Sequence, residues 1–420
     1  MTQKNSRFPF LYWAFLIYSV LSLSAMAFMS IGVSLLIVAV VFDRGGPKRF
    51  YEEFLAILRI EAVRTYGIAS LLFCIACFVS LICARFFPLA FAGKSTPIHL
   101  LRDMAKTWYL LLPLILLIGW RRLLPDQKTT VFKTWFIFFG ILSAVGVVQF
   151  FTGLPRAQAN PQLPGYYHVV LLLGHHLSVA SIWIFPFFAI LDVLFDRDSI
   201  KKLKIPFPIL LLFFGLGSFS LFFSYSRTLW VAMPVGLILW VWIKLPRKFA
   251  TWGTVIAISL GIILYQTPQF KYRMQSQIGI SQRTELWTAN LEFLKARPMT
   301  GVGLGKNHEL SLYYFQQKYP HQTDFFIGHA HNIYLEMISG LGLFGFFAWI
   351  LWLTAAICPL VRSCKNKLPL NFSHGFLAAW TVFLINGVTQ VNFWDGKVLH
   401  QVMWVTSLAL LWSSDSKNVK

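Results

Sequence analysis

The chain has 420 residues, of which 57% are hydrophobic and 13% charged, and it carries a formal net charge of +21. A water-soluble domain has about 25% charged residues, so this composition excludes one and describes a polytopic membrane protein. The excess of Lys and Arg would suit nucleic acid, but its placement between apolar runs explains it without one, as a topology signal plus attraction to anionic lipid headgroups.

A membrane-spanning helix needs about 20 mostly apolar residues. In chain order the runs that qualify, several of them short, are 9–26, 27–42, 67–86, 107–121, 131–150, 168–195, 205–223, 227–243, 250–265, 341–361, 371–389 and 397–413, which makes twelve. The first two come from splitting one apolar run that has no polar break. That run lacks a small-residue cleavage site and is followed by "DRGGPKR", so it is expected to stay as an anchor. Cys74, Cys77, Cys83, Cys358 and Cys364 fall in or beside these runs. Cys74 and Cys77 form a C-x-x-C with apolar flanks and no second pair, which reads as packing rather than metal binding.

Lys and Arg orient the chain. With Lys4 and Arg7 inside, the inward connections "DRGGPKRF", "RRLLPDQK", "DRDSIKKLK", "KLPRK", "RSCKNK" and the tail "SKNVK" are all basic. The third outward connection, with Lys94, Arg102 and Lys106, is the exception. Both termini are then cytoplasmic, and the one long connection, 266–330, lies outside between the ninth and tenth helices. Three regions follow: spans over 1–265, the outer loop 266–330, and a re-entry segment with the last three spans over 331–420.

The outer loop has structure of its own. "RTELWTANLEFLKA" places Leu286, Trp287, Leu291 and Leu294 on one stripe, and Pro298 ends the pattern. This predicts an amphipathic helix lying on the membrane or over a cavity. "GVGLG" at 301–305 has part of a dinucleotide-binding fingerprint, but it follows a helix rather than a strand and reads as a turn. Asn332 is placed to cap the helix that re-enters the membrane.

Three groups converge on the outer side: Arg227 at the start of the eighth helix, Arg283 in the loop, and His331 at re-entry. Arginine donates bidentate hydrogen bonds and stays charged, which suits a diphosphate. Histidine titrates near neutrality and can take a proton from a hydroxyl. The plainer readings are a snorkelling Arg227 and an Arg283 on the polar face of a surface helix. His329 stands beside His331 to support it or to bind an acceptor. His175 and His176 fall inside the sixth run, where adjacent residues on a helix face different ways, so at most one lines a cavity. "DRD" at 196–198 has the form of a metal-binding D-x-D but lies among inward lysines and reads as a solvated loop. No cluster has zinc or calcium spacing.

Ser226-Arg227, Arg283 with Trp287, Pro298 with Gly301, Gly303 and Gly305, and His331-Asn332 with Tyr334 and Leu335 running into a Gly-Leu-x-Gly follow one another over 224–345. In order and spacing this pattern resembles the O-antigen ligase family of bacterial inner-membrane proteins, which includes related polymerases. The resemblance implies an all-α fold of the GT-C type with about twelve transmembrane helices and a large periplasmic loop. It also implies transfer of a polysaccharide from undecaprenyl diphosphate to a sugar hydroxyl of lipid A–core, inverting, with no metal or other cofactor. Arg227 and Arg283 would hold the diphosphate on the periplasmic face and His331 would act as base. Ser226, Asn332, His329, Tyr334 and Trp287 are the further candidates for holding diphosphate or acceptor. The polymerase, which extends lipid-linked repeats, shares donor and leaving group; protein O-oligosaccharyltransferases of similar pattern are usually longer. A twelve-helix transporter of an anionic substrate is the reading from another class, but no counterpart of the large loop occurs in the first half.

Overall fold

Two helices replace the first long apolar run in the computed structural model, which describes residues 9–43, 45–87, 89, 99–160, 163–267, 271, 280–322, 325–365 and 370–415. Lys4, Arg7, Arg44, Lys94 and the tail 416–420, all used above to orient the chain, lie outside those residues. The first part comprises α1 (Pro9–Leu21), α2 (Met26–Phe42), α3 (Gly46–Ile57), α4 (Glu61–Phe86) and α5 (Leu100–Met104). A 3-10 turn, Ala105–Leu111, leads into α6 (Leu112–Arg122) and α7 (Pro125–Thr152). Next come α8 (His176–Ile182), α9 (Ile184–Leu194), α10 (Arg197–Leu203), α11 (Phe207–Phe222), α12 (Arg227–Lys244) and α13 (Arg247–Gln266). The outer loop holds α14 (Ile280–Ala296) and α15 (Asn307–Lys318), and the chain returns through α16 (Ile333–Ser363), α17 (Ser373–Asn386) and α18 (Gly396–Asp415). Among the described residues the only β pairing is one isolated bridge, Ala159 to Tyr167.

Among the described residues five helical stretches are long and apolar enough to cross a membrane: α4, α7, the α8–α9 pair (His176–Leu194), α12 and α16. The count rises to seven if α2 with α3, bent by 94°, and α10 with α11, bent by 99°, are each one span. The chain is an all-α polytopic membrane protein.

α18 is the post around which the bundle packs. Residues 398–413 are buried throughout, and the ring of Trp404 meets Phe15, Tyr18, Trp120 and Trp135. Gln401 on the same helix explains why the first apolar run breaks where it does. Its amide donates to the carbonyl and hydroxyl of Ser22, at 2.9 and 3.0 Å, satisfying a backbone group freed between α1 and α2.

Two expected spans differ from the helices observed. Residues 168–175 are not helical, so His175 and His176 do not sit inside a span: His175 caps α8, accepting the Leu177 N–H, and His176 opens it. The cause is Gln149 of α7, whose side chain accepts the N–H groups of Val170 and Leu171 and donates to the Leu171 carbonyl. The Val169 N–H and His168 N–H bond the Phe223 and Gln158 carbonyls, so the segment finds partners outside a helix.

The tenth span begins at Ile333 rather than at 341, and it is broken at Gly342 (φ 67°, ψ −175°). Residues 298–303 fill the break. Val302 and Gly303 donate to the carbonyls of Ser339 and Gly340 at 3.1 and 2.9 Å, while Leu343 and Phe344 donate to Pro298 and Met299 at 2.8 and 3.2 Å. The glycines are what permit this approach. A Cβ on Gly342 would lie 2.3 Å from the Met299 carbonyl carbon, and one on Gly301 would lie 2.4 Å from that of Gly340.

The stripe expected on 283–296 also turns. Leu286, Ala289 and Phe293 face inward into a small core with Val302, Leu310 and Phe315, while Leu291 is 47% exposed. The helix is rotated because it packs against α15 and α16 rather than lipid alone. Asn290 sits in that interface in a buried triad: the Asn307 amide donates to Ser339 Oγ at 2.7 Å and to Asn290 Oδ1 at 2.5 Å, and Ser339 Oγ donates to Asn290 at 2.8 Å. Gly342→Ala is expected to destabilise the protein by more than about 1 kcal/mol, since alanine is strained at positive φ and its methyl meets backbone; an unchanged melting temperature in detergent would contradict the interlock.

Candidate functional site

The corner between α11 and α12 places the first arginine. Tyr225 turns the chain with φ 55°, and the indole N–H of Trp230 donates to the Phe222 carbonyl at 2.9 Å, closing the end of α11. Ser226 occupies the N-cap position of α12 but makes no capping bond. Its buried hydroxyl faces the end of α17 instead, where it accepts from Gln390 Nε2 at 2.9 Å and donates to Asn386 Oδ1 at 3.4 Å. Thr228 is hydrogen-bonded to Thr389 next to it. Arg227 is therefore the first residue of a helix whose start is tied to α17.

Arg283 lies near the start of α14. Burial, and then the positive charge of Arg227, push its pKa below the usual arginine value. The two arginines are thus near enough for their charges to interact although far apart in the chain.

His331 has φ 48°, a conformation costing a non-glycine residue about 1–3 kcal/mol unless its surroundings impose it. Its surroundings do. Its N–H donates to His329 Nδ1 at 3.3 Å, and the preceding Ala330 is held on both sides, its N–H donating to Glu336 Oε2 at 2.7 Å and its carbonyl accepting from the Trp287 indole at 2.8 Å. The rings of His329 and His331 lie 4.3 Å apart, and Phe326 stacks on His331 at 5.9 Å. Nδ1 of His331 is buried and has no hydrogen-bond partner among the described residues. Burial first, then the charges of His329, Arg283 and His175, bring the His331 pKa down to about 3, so the ring is neutral at physiological pH. Burial and the neighbouring His308 lower His329 as well.

His331, which feels the charge of Arg283, also lines a cavity of about 460 Å³. The cavity is walled by His175, Ser178 and Ser181 of α8, by Leu304, Gly305 and His308, by His329, His331, Glu336 and Met337, and by Gln390, Asn392, Trp394 and Asp395 ahead of α18, with Lys106 at its side. Neither arginine lines it. Asp395 accepts from Ser178 Oγ at 2.9 Å and from the Lys397 N–H at 3.1 Å, so one carboxylate ties α8 to the start of α18. Lys106 donates to the Trp394 carbonyl at 3.0 Å. Of the adjacent histidines only His175 lines the cavity; His176 stacks between His175 and His168, and His168 meets the Tyr225 ring edge-on at 5.3 Å.

Arg227, Arg283, His329 and His331 come together, with Ser226 behind the corner. The other three candidates point elsewhere. Trp287 bonds the Ala330 carbonyl, Asn332 caps α16 by accepting the Leu335 N–H at 3.0 Å, and the Tyr334 hydroxyl donates to the Leu384 carbonyl at 2.9 Å, toward α17. Sequence reasoning missed Glu336, His308, Lys106, Gln390, Asn392 and Asp395. The polar run "TQVNFWD" between two apolar spans on the outward side was the available signal for the last three. Among the described residues no group of three or more His, Cys, Asp or Glu side chains is arranged to hold a metal ion.

A polytopic helical membrane protein with a cationic, histidine-lined site at one end of the bundle is the class that fold and site define. Residues 211–350, one third of the chain, match the family model described as O-antigen ligase. The chain thus carries an O-antigen ligase family segment, running from α11 into α16, which contains Arg227, Arg283 and His331 but not His175 or Asp395. The family comprises glycosyltransferase-like enzymes, ligases and polymerases, that act on lipid-linked sugars. No curated protein matches the chain.

Because burial and nearby positive charge hold His331 below its ordinary value, its ring nitrogen NMR signals should not move between pH 8 and pH 5 in the substrate-free protein. Arg283→Gln removes one of those charges and should shift the midpoint upward; a midpoint near 6.5 in the unmodified protein, that of an unperturbed histidine, would contradict the geometry.

Proposed function

We propose that this protein is an O-antigen ligase: it transfers a polysaccharide from undecaprenyl diphosphate to a sugar hydroxyl of lipid A–core, on the periplasmic face of a bacterial inner membrane. The observation that carries the reading is His331, which lines the cavity and feels the charge of Arg283, itself within reach of the charge of Arg227. A diphosphate bound at Arg227 and Arg283 sets the anomeric carbon toward His331. An acceptor sugar in the cavity brings its hydroxyl from the opposite direction. The acceptor oxygen bonds to the anomeric carbon as the carbon–oxygen bond to the diphosphate breaks, the hydroxyl proton passes to the His331 ring, and undecaprenyl diphosphate leaves. Attack opposite to departure inverts the anomeric centre.

The electrostatics are consistent with this sequence of events. Charge develops on the leaving diphosphate, and two guanidinium groups fixed in advance stabilise it without reorganising. His331 is neutral before substrate arrives, and so able to accept a proton. The arriving diphosphate offsets the positive charges around it and raises its pKa toward the range useful for a base. Arg227 also stands at the first turn of α12, where the helix dipole adds to the attraction for an anion. With the arginines at the outer membrane–water boundary, the lipid tail stays among the helices while the glycan is outside. Twelve spans with both termini cytoplasmic, and a GT-C-type arrangement, belong to the same reading.

Purified protein supplied with labelled undecaprenyl-diphosphate glycan and core lipopolysaccharide is expected to label the core. Elongation without core would instead identify a polymerase, and neither product would remove both. Arg227→Ala should reduce transfer by about 10²–10³-fold, as loss of a charge-stabilising donor does, and His331→Ala by about 10²–10⁴-fold, as loss of a general base does. Membrane insertion should be unaffected in both, and activity close to wild type in either would refute its role. Chelation with EDTA should leave the rate unchanged.

A further inference from the structure

His331 is held in its left-handed conformation from a distance, and the residue doing so lies on another turn of the chain. Ala330, the residue before it, is fully buried and has both of its backbone polar groups taken by side chains. The Glu336 carboxylate accepts its N–H at 2.7 Å, and the Trp287 indole donates to its carbonyl at 2.8 Å. These bonds fix the peptide planes on both sides of Ala330, and Asn332 is anchored in turn as the cap of α16, so the His331 backbone between them has little freedom. A third bond, from the His331 N–H to His329 Nδ1, completes the set.

Glu336 is unusual for its surroundings. It is 5% exposed on the first turn of a membrane helix, and among the described residues it forms no salt bridge. A carboxylate there is expensive unless it is hydrogen-bonded. Its attachment is to the backbone of the segment that carries His331. It stands just inside the start of α16, behind the Asn332 cap.

We propose that Glu336 is a positioning residue: with Trp287 as the opposing arm, it clamps the backbone at Ala330 and so sets the His331 ring in the cavity wall. The effect on catalysis rests on the reading of His331 given above; the clamp itself does not. Trp287 accordingly acts through the backbone rather than on a substrate.

Two measurements on the full chain in detergent separate these points. The first is the rate at which diethyl pyrocarbonate modifies His331, followed by mass spectrometry. Glu336→Leu, which cannot accept the N–H, should change that rate severalfold, Trp287→Phe, which keeps the ring and loses only the indole N–H, should change it less, and Glu336→Gln, which retains an acceptor oxygen, should restore it. The second is transfer kinetics. Glu336→Leu should lower kcat by about 10- to 100-fold, as displacement of a catalytic group by about 1 Å does, with KM for the lipid-linked donor unchanged and with partial rescue in Glu336→Gln. An unaltered His331 modification rate in both Glu336→Leu and Trp287→Phe overturns the clamp, whatever the activities. A changed modification rate with undiminished transfer supports the clamp and refutes the catalytic reading of His331. A rise in donor KM that accounts for the whole loss would place Glu336 in binding and overturn its positioning role.

Discussion

A helix entering a bilayer cannot leave peptide groups unpaired, because nothing in the lipid will bond them. The break at Gly342 in α16 violates that rule unless other backbone is brought in, and residues 298–303 are that backbone. Four hydrogen bonds join the two strands of chain, and the missing Cβ atoms of Gly301 and Gly342 make room for them. Everything on the outer face is built outward from this contact. It fixes the end of α14, and with it Arg283 and Trp287. It also fixes the first part of α16, and with that Glu336, Asn332 and His331. The glycines, which at sequence level suggest only a turn, are the joint between the loop and the membrane helix.

Charge is arranged on that frame against its own preference. Two arginines are near enough for their charges to interact, and a histidine beside them is kept neutral by burial and by the positive charge around it. An anion bound beside such groups would be met by charges already in place. The backbone shows the same economy: Tyr225 and His331 both adopt positive φ, each next to one of the groups that matter, Arg227 in one case and the His331 ring itself in the other. Strain of this kind persists only where neighbouring bonds impose it. Trp230 and the Ser226–Gln390–Asn386 contacts do so at the first corner, and Glu336, Trp287 and His329 do so at the second.

The cavity draws on segments far apart in the chain: the start of α8, the end of the glycine-rich turn, the re-entry segment and the approach to α18. Asp395 holds two of them together through Ser178 and its own helix cap. The family segment, 211–350, covers only part of this wall. The arginines and His331 lie inside it, whereas most of the side chains facing the far side of the cavity lie outside it.

The apolar runs by themselves determined that the chain is a helical membrane protein and placed most of its helices, because the transfer of a segment into lipid is a local, additive property of its residues. The order Ser226-Arg227, Arg283, His331 was legible for a similar reason: charged groups at the edges of apolar runs stand out wherever the chain later goes. Helix phase was not legible. Leu291 turned outward and Asn290 inward because a buried triad with Asn307 and Ser339, formed between three separate segments, decides how α14 rolls. The non-helical stretch 168–175 escaped detection because its backbone bonds to partners distant in the chain, among them the Gln149 side chain and the Gln158 and Phe223 carbonyls. Trp287 and Tyr334 could be recognised as motif residues but not as bonds to the Ala330 and Leu384 carbonyls. Glu336 and Asp395 could not be recognised as site residues at all. Hydropathy reports where a segment prefers to be; where each polar side chain finds its partner is decided by contacts between distant segments, and only the tertiary structure makes them.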